Sequence, residues 1–260
     1  MQKILFILSI VLTGVFIFLG YNAWQDKQAE VHRVSPVLID STAVAEEDSA
    51  EAELDQASTE EGEAEPALTT NLPQEAQDLF AEATAEEPVN VTLVATESAT
   101  ITGTNWLTAA ENVFSNEYSN VVVETITYNN TSDELIETIT SENYGQADVI
   151  LLEVPTIYDN GFWSLGDQTY YMNLMIGSFQ EAAPEAVLIM QPSQPLAEAP
   201  IYDEQKDAVQ QVIADAGIEY LDHWSSWGQD LSTLLTEDND PTEEGGTVWA
   251  NYMTDYLTGN

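Results

Sequence analysis

Two stretches of this chain, "ADVILLEV" (147–154) and "EAVLIMQP" (185–192), are nearly continuous apolar runs of strand length. A strand with one wet face alternates apolar and polar residues. One that is apolar on both faces has to be covered on both, and crossover helices provide that cover when the strands run parallel. "VNVTLVAT" (89–96) and "NVVVETITY" (120–128) are further β-rich runs, and "IEYLDHW" (218–224) is a last short one. Helical patterns lie between them. Leu107, Ala110, Val113 and Phe114 share one face, and "TSDELIETITSEN" opens at Thr131 or Ser132. "TYYMNLMIGSFQEA" follows, and Ala208, Val209, Val212, Ile213 and Ala216 form a stripe stopped by Gly217. A closing helix carries Val248, Trp249, Tyr252, Met253, Tyr256 and Leu257 on one side, with Gly259 after it. Strand and helix alternate about five times. This predicts a three-layer α/β/α domain, flavodoxin-like, over residues 89–260, with a parallel sheet of about five strands.

The residues before that domain are of two other kinds. Residues 1–25 are apolar after Lys3, and from Ile4 to Trp24 a helix would span about 31 Å, close to the thickness of a bilayer's hydrocarbon. Tyr21 and Trp24 stand where interfacial aromatics are expected. The segment is a transmembrane anchor or a cleaved signal peptide; its length and the lack of an A-x-A-like site favour the anchor. Either reading puts the rest outside the cell. Residues 26–88 include "AVAEEDSAEAELDQASTEEGEAEPA", rich in Ala, Glu, Ser and Thr with hardly an aromatic. Such a segment buries too little surface to offset its ordering entropy and is expected to be a disordered acidic tether, with a short helix allowed around "QEAQDLFAEA".

The whole chain has 46 acidic and 4 basic residues, a formal charge of −42. It repels nucleic acid and anionic headgroups, which excludes polyanion binding. Strong salt would screen its self-repulsion, so a halophilic or alkaline exterior suits it. There is no cysteine, which excludes disulfides, thiolate metal sites and a cysteine nucleophile. No cofactor motif is present.

In an open parallel sheet, ligands bind beyond the carboxyl ends of the strands. Four loops occupy such positions: "ATESATITG" after the first strand, "YNNTS" after the second, "VPTIYDNGFW" after the third, and "TEDNDPTEE" before the last helix. In order and spacing these stretches resemble the blocks of the SGNH/GDSL hydrolase family. The resemblance covers Val89 to the C-terminus. It is nearest to membrane-anchored or secreted members of Gram-positive bacteria, on "YLDHWSSW" and "DPTEEGGTVWANYMTDYL".

The resemblance implies serine-dependent ester hydrolysis. A serine attacks the carbonyl. A histidine three residues after an acid takes the proton. A glycine N–H and an asparagine side chain join the serine's own N–H in holding the oxyanion. Matched residue by residue, the nucleophile is Ser98, in Thr96-Glu97-Ser98 where the family has Gly-Asp-Ser. The glycine position is Asn129, the asparagine position is Tyr158 beside a retained Asp159, the acid is Glu237, and the histidine position is Asp240. A carboxylate is a poorer proton acceptor than imidazole by roughly 3.5 kcal/mol. Losing one oxyanion donor costs about 2.7–4 kcal/mol in comparable enzymes. His223 is the one histidine of the domain and hence a possible substitute base. In the expected strand order it lies at the edge strand, and packing among Trp224 and Trp227 accounts for it as well.

"DPTEEGG" (240–246) also reads as a helix start, with Asp240 as cap, Pro241 in the first position and Glu243 three after the cap. A cap alone does not explain Gly245-Gly246, which cost about 1 kcal/mol each in a helix. The family resemblance implies a close-packing glycine there. Glu237, Asp238, Asp240, Glu243 and Glu244 offer oxygen ligands of the kind Ca²⁺ takes, but their spacing matches no EF-hand, and a solvated acidic surface explains them. Phe162 and Trp163 could line a groove for sugar rings or acyl chains. Two functions follow from these readings. One is a membrane-tethered or secreted ester hydrolase acting on cell-envelope glycan esters or lipids, impaired by its substitutions. The other is an inactive surface-binding module on the same fold.

Overall fold

The computed structural model describes residues 70–260, within the compact unit 61–260. The expected anchor and most of the expected tether lie outside the described residues. Among the described residues, no helix is long and apolar enough to cross a membrane.

Five strands, β1 (Val89–Thr96), β2 (Val121–Tyr128), β3 (Val149–Glu153), β4 (Val187–Gln191) and β5 (Glu219–Tyr220), form one parallel sheet in the order β2-β1-β3-β4-β5. Eight α-helices of the described residues accompany them: α1 (Gln74–Glu82), α2 (Trp106–Asn116), α3 (Ser132–Thr138), α4 (Ser141–Tyr144), α5 (Thr156–Asp159), α6 (Leu165–Ala182), α7 (Pro200–Asp215) and α8 (Glu243–Thr258). The α/β/α fold class expected from the sequence is the one observed.

Strand alternation sorts the core into two halves. Val91, Leu93, Val149, Leu151 and Ile189 pack with Trp106, Phe114, Trp249 and Met253 from α2 and α8. Val94, Ile150, Leu152 and Met190 pack with Met172, Phe179, Val209 and Ile213 from α6 and α7. All five residues of β3 are buried, as its unbroken apolar run requires, and burial of each such apolar side chain is worth about 1.5–3 kcal/mol. The edge strand β2 alternates exposed and half-buried residues instead.

Four boundaries differ from the sequence reading. Residues 70–88 are folded rather than tether: Leu72 and Ala76 are buried in the α2/α8 half of the core, and Phe80 stacks on Phe114 and meets Tyr118 edge-on. Leu79 and Ala83 pack against the same cluster, and these five apolar side chains among nineteen residues suffice because α2 and the turn after it supply the opposing aromatics. The helix expected over 131–143 is two helices. Ile139 is extended, and Thr140 caps the second by accepting a bond from the Asn143 amide; the β-branched run Thr138-Ile139-Thr140 favours that break. The last strand keeps only two residues, because His223–Ser226 turns into a 3₁₀ helix.

The fourth difference is the start of α8. Its cap is Thr242, whose hydroxyl accepts from the Gly245 amide at 3.2 Å. Asp240 and Pro241 precede the helix in a tight reverse loop: Leu235 and Pro241 bridge antiparallel, the Thr236 amide donates to the Asp240 carbonyl at 2.8 Å, and Asn239 is left-handed with φ 65°. That loop ties up the backbone Asp240 would need in order to cap.

The glycine pair behaves as the resemblance implies. A Cβ on Gly245 would fall 2.1 Å from the Leu234 carbonyl oxygen, and one on Gly246 would fall 2.1 Å from that of Thr104. The first turn of α8 therefore lies directly against the loop that follows Ser98. Gly246→Ala is expected to lower the unfolding free energy by about 3 kcal/mol, as overpacking against rigid backbone does. Gly177→Ala, on the exposed side of α6 with nothing within 4 Å of its added carbon, is expected to raise it by up to about 1 kcal/mol. Urea unfolding midpoints of the two variants check both signs.

Candidate active site

The carboxyl ends of β1, β2 and β3 bring Ser98, Asn129, Tyr158 and Asp159 to one edge of the sheet, since β1 is hydrogen-bonded to both of its neighbours there. Ser98 opens a 3₁₀ turn directly after β1 and is 8 % exposed. Two hydroxyls hold it. Its Oγ lies 3.0 Å from Thr96 Oγ1, and its backbone amide donates to the Tyr158 hydroxyl at 3.4 Å. Tyr158 is half-buried and packs edge-on against Tyr128. Its phenol oxygen therefore caps the amide to which the resemblance assigns oxyanion binding. The resemblance implies a side-chain donor at this position; in the structure the Tyr158 oxygen is an acceptor for the Ser98 amide.

The remaining expected residues divide between frame and bystander. Asp159 is buried, and its carboxylate accepts from the Ser132 amide at 2.8 Å and from the Ser132 hydroxyl at 2.6 Å. Burial raises its pKa against the pull of those bonds. It fastens the loop after β3 to the start of α3. Asn129 is exposed and donates through its side chain to Glu97 Oε2 at 3.0 Å. Its φ is not positive, so the conformational tolerance of asparagine is not needed there. Glu237 is exposed. Asp240 is half-buried, with its pKa raised first by burial and then by Asp238. Among the described residues, no hydrogen bond joins Glu237 or Asp240 to Ser98, whose side-chain and amide partners are Thr96 and Tyr158. Nor do the described residues gather three or more His, Cys, Asp or Glu side chains that could hold a metal ion.

His223 does not serve as a substitute base in this geometry. The ring is 0 % exposed and stacks on Trp249 at 4.2 Å and 13°. Nδ1 accepts from Trp227 Nε1 at 2.9 Å, which fixes the tautomer, and Nε2–H donates to the Pro192 carbonyl at 3.0 Å. Both nitrogens are committed, and burial pulls the pKa down to about 3.

The sequence reading missed the group beneath the serine. Glu153, the last residue of β3, is 0 % exposed. Oε2 accepts from the Thr96 amide at 3.1 Å and from Trp106 Nε1 at 2.9 Å, and Oε1 accepts from the Thr96 hydroxyl at 2.6 Å. Burial pushes its pKa up to about 7 against the pull of those bonds. The available signal was a charged residue closing the apolar run "VILLE". Two clefts of about 540 and 510 Å³ lie elsewhere: one is lined by α2 and α8, the other by the 195–198 and 228–232 segments, and neither is lined by Ser98 or Tyr158.

A buried serine thus stands at the carboxyl edge of a β2-β1-β3-β4-β5 parallel sheet, and the first turn of α8 lies against Gly103 and Thr104 of the loop that follows it. The chain has the SGNH/GDSL hydrolase fold. Solved structures similar to it include the psychrotrophic esterase EstA from Pseudoalteromonas sp., inhibited by monoethylphosphonate (14% identity, TM-score 0.53, covering 65% of this chain and 97% of that one). TesA is similar at 13% identity and TM-score 0.55, over 65% of this chain and 98% of that one. The Clostridium thermocellum family 3 carbohydrate esterase is similar at 16% identity and TM-score 0.52, over 65% of this chain and 94% of that one. No family model and no curated protein matches the sequence.

The two displaced pKa values act on stability in opposite directions. His223 is held neutral in the fold, so its contribution is complete above pH 6.5 and is lost as pH falls towards 3, by up to about 5 kcal/mol. Glu153 binds its proton more tightly folded than unfolded, so its contribution is complete below pH 4.5 and is lost as pH rises through 7. Urea unfolding of His223→Gln beside the wild type separates them. Glutamine can supply both the acceptor for Trp227 and the donor for Pro192, but it does not titrate. The wild type is expected to lose stability faster than the variant between pH 6 and 4.

Proposed function

We propose that this chain is an extracytoplasmic protein of the SGNH ester-hydrolase fold. Its N-terminal segment holds it at the membrane, where it engages acylated glycans or lipids of the cell envelope, and turnover by the family's usual triad is strongly reduced. One observation carries the reading: the Tyr158 hydroxyl lies on the Ser98 amide, where a carbonyl oxygen would have to sit. The carboxylate at Asp240 adds to it. A proton acceptor weaker by roughly 3.5 kcal/mol and a lost oxyanion donor worth roughly 3 kcal/mol together correspond to a slowing of about 10⁴- to 10⁵-fold.

A second reading, binding without turnover, is favoured by the aromatic strip beyond α5. Phe162 is 68 % exposed, and Phe162, Trp163, Tyr171 and Tyr170 follow one another with ring centroids 5.1, 4.8 and 5.4 Å apart. Phe162 and Tyr170, the exposed members of the strip, suit the apolar faces of sugar rings, and a surface this acidic suits neutral or cationic polymers over anionic ones.

Hydrolysis of p-nitrophenyl esters by the full chain in strong salt, with Ser98→Ala in parallel, tests the first reading. Slow release that disappears in Ser98→Ala is expected. Tyr158→Asn combined with Asp240→His is expected to raise the Ser98-dependent rate by about 10²-fold or more. Equal background in the wild type and Ser98→Ala, and no gain in the double variant, would overturn it. Co-sedimentation with purified wall glycan that is lost in Phe162→Ala/Trp163→Ala would then select the second.

A further inference from the structure

Resting on the reading of Ser98 as the seat of a nucleophile, we infer that Thr96 and Glu153 form a buried proton relay beneath it, which supports acylation of Ser98 without an imidazole. The three groups stand in a line: Ser98 Oγ is 3.0 Å from Thr96 Oγ1, and Thr96 Oγ1 is 2.6 Å from Glu153 Oε1.

The neighbours set the direction of the hydrogen bonds. The ionised carboxylate only accepts, so the Thr96 hydroxyl donates to it. The Ala99 amide also donates to Thr96 Oγ1, at 3.2 Å. Thr96 has a single proton, already directed at Glu153, so the Ser98 hydroxyl donates to Thr96. Glu153 Oε2 is held by the Thr96 amide and the Trp106 indole. A proton therefore arrives at Oε1, the oxygen that faces Thr96. Burial places the carboxylate's titration at about 7, close to what a base at neutral pH requires.

The other titratable groups around Glu153 do not compete. Tyr128 reaches it from β2, its hydroxyl donating to the Glu153 carbonyl; Tyr158 faces it from α5 and Tyr202 from α7. All three hydroxyls are pushed above their ordinary value by burial, and are un-ionised at neutral pH. Asp159, on α5 with Tyr158, is engaged by Ser132. Trp106 from α2 and Gln191 and Ser193 from the β4 side carry no titrating proton in this range.

In the step itself, Ser98 Oγ forms a bond to the ester carbonyl carbon as its proton moves to Thr96 Oγ1, and the Thr96 proton moves to Glu153 Oε1. The tetrahedral adduct collapses and the bond to the leaving alkoxide breaks. The alkoxide takes a proton from water, which leaves hydroxide in the solvent, and Glu153 keeps the serine proton in the acylated protein, since Thr96 and Glu153 are both fully buried. The relay touches only the serine oxygen. It does not reach a water attacking the acyl carbon, so acyl capture is expected to outrun release.

The test is the labelling rate of Ser98 by a small fluorophosphonate, read by intact-protein mass spectrometry on the full chain between pH 5 and 9. Here the Ser98 oxygen bonds to phosphorus and fluoride leaves. The expected rate in the wild type rises with pH through a midpoint near 7, the un-ionised Glu153 being unable to accept. Thr96→Val is expected to slow labelling about a hundred-fold at pH 8, and Thr96→Ser to restore it. Glu153→Gln turns an amide donor toward Thr96, reverses the hydrogen-bond chain and is expected to abolish the pH step. Ser98 labelling at wild-type rate in Thr96→Val, or an unchanged pH step in Glu153→Gln, would overturn the relay and leave the ester-handling reading standing. Absence of any adduct on Ser98, with the fold intact by circular dichroism, would overturn both.

Discussion

A strand covered by helices on both faces leaves no water for its polar groups, and this constraint organises both the sheet and the site. Within β3 every side chain but the last is apolar and needs only contact. Glu153 is the exception: a carboxylate left unpaired in such a place costs several kcal/mol. Its three donors come from the end of β1 and the first turn of α2. Satisfying one carboxylate thus fixes the β1 terminus, the turn carrying Ser98 and the entry of α2 relative to one another. Trp106, which supplies the indole donor, also packs beside Trp249 of α8, which draws the last helix into the same arrangement.

The carboxyl edge of this SGNH/GDSL-type fold carries hydrogen bonds distributed differently from those the resemblance implies. In the frame implied by resemblance, the serine amide waits for substrate and an imidazole waits for the serine proton. Here the amide is already met by a phenol and the serine hydroxyl is directed inward, towards Thr96. The domain's one histidine is locked between Trp227, Pro192 and the face of Trp249. These arrangements agree with one another: an inward-facing serine is served by a buried carboxylate better than by a group on the exposed loop before α8.

Much of the fold was legible because burial on two faces leaves a mark in the sequence. The apolar runs of β3 and β4 and the stripe of α7 all depend on which side of an element meets water. The breaks were less legible. Residues 70–88 look like tether by composition, yet Leu72, Ala76 and Phe80 fold because Phe114 and Tyr118 stand opposite. That Ser98, Asn129, Tyr158 and Asp159 would come to one edge of the sheet followed from their positions after the first three strands. The partner each one chose did not, because Tyr158 as acceptor and Glu153 as neighbour of Thr96 depend on side chains 57 to 60 residues apart.

The sequence by itself determined the layer architecture, the parallel sheet, the presence of two glycines where the last helix starts, and the absence of an imidazole at position 240. These follow from local pattern, residue volume and residue chemistry. Tertiary structure alone decided that the Tyr158 hydroxyl meets the Ser98 amide, that His223 is spent on packing, and that the buried Glu153 carboxylate lies against Thr96 below Ser98. Hydrogen-bond direction and the titration of a group depend on the atoms within a few ångströms of it, and the fold draws those atoms from distant parts of the chain.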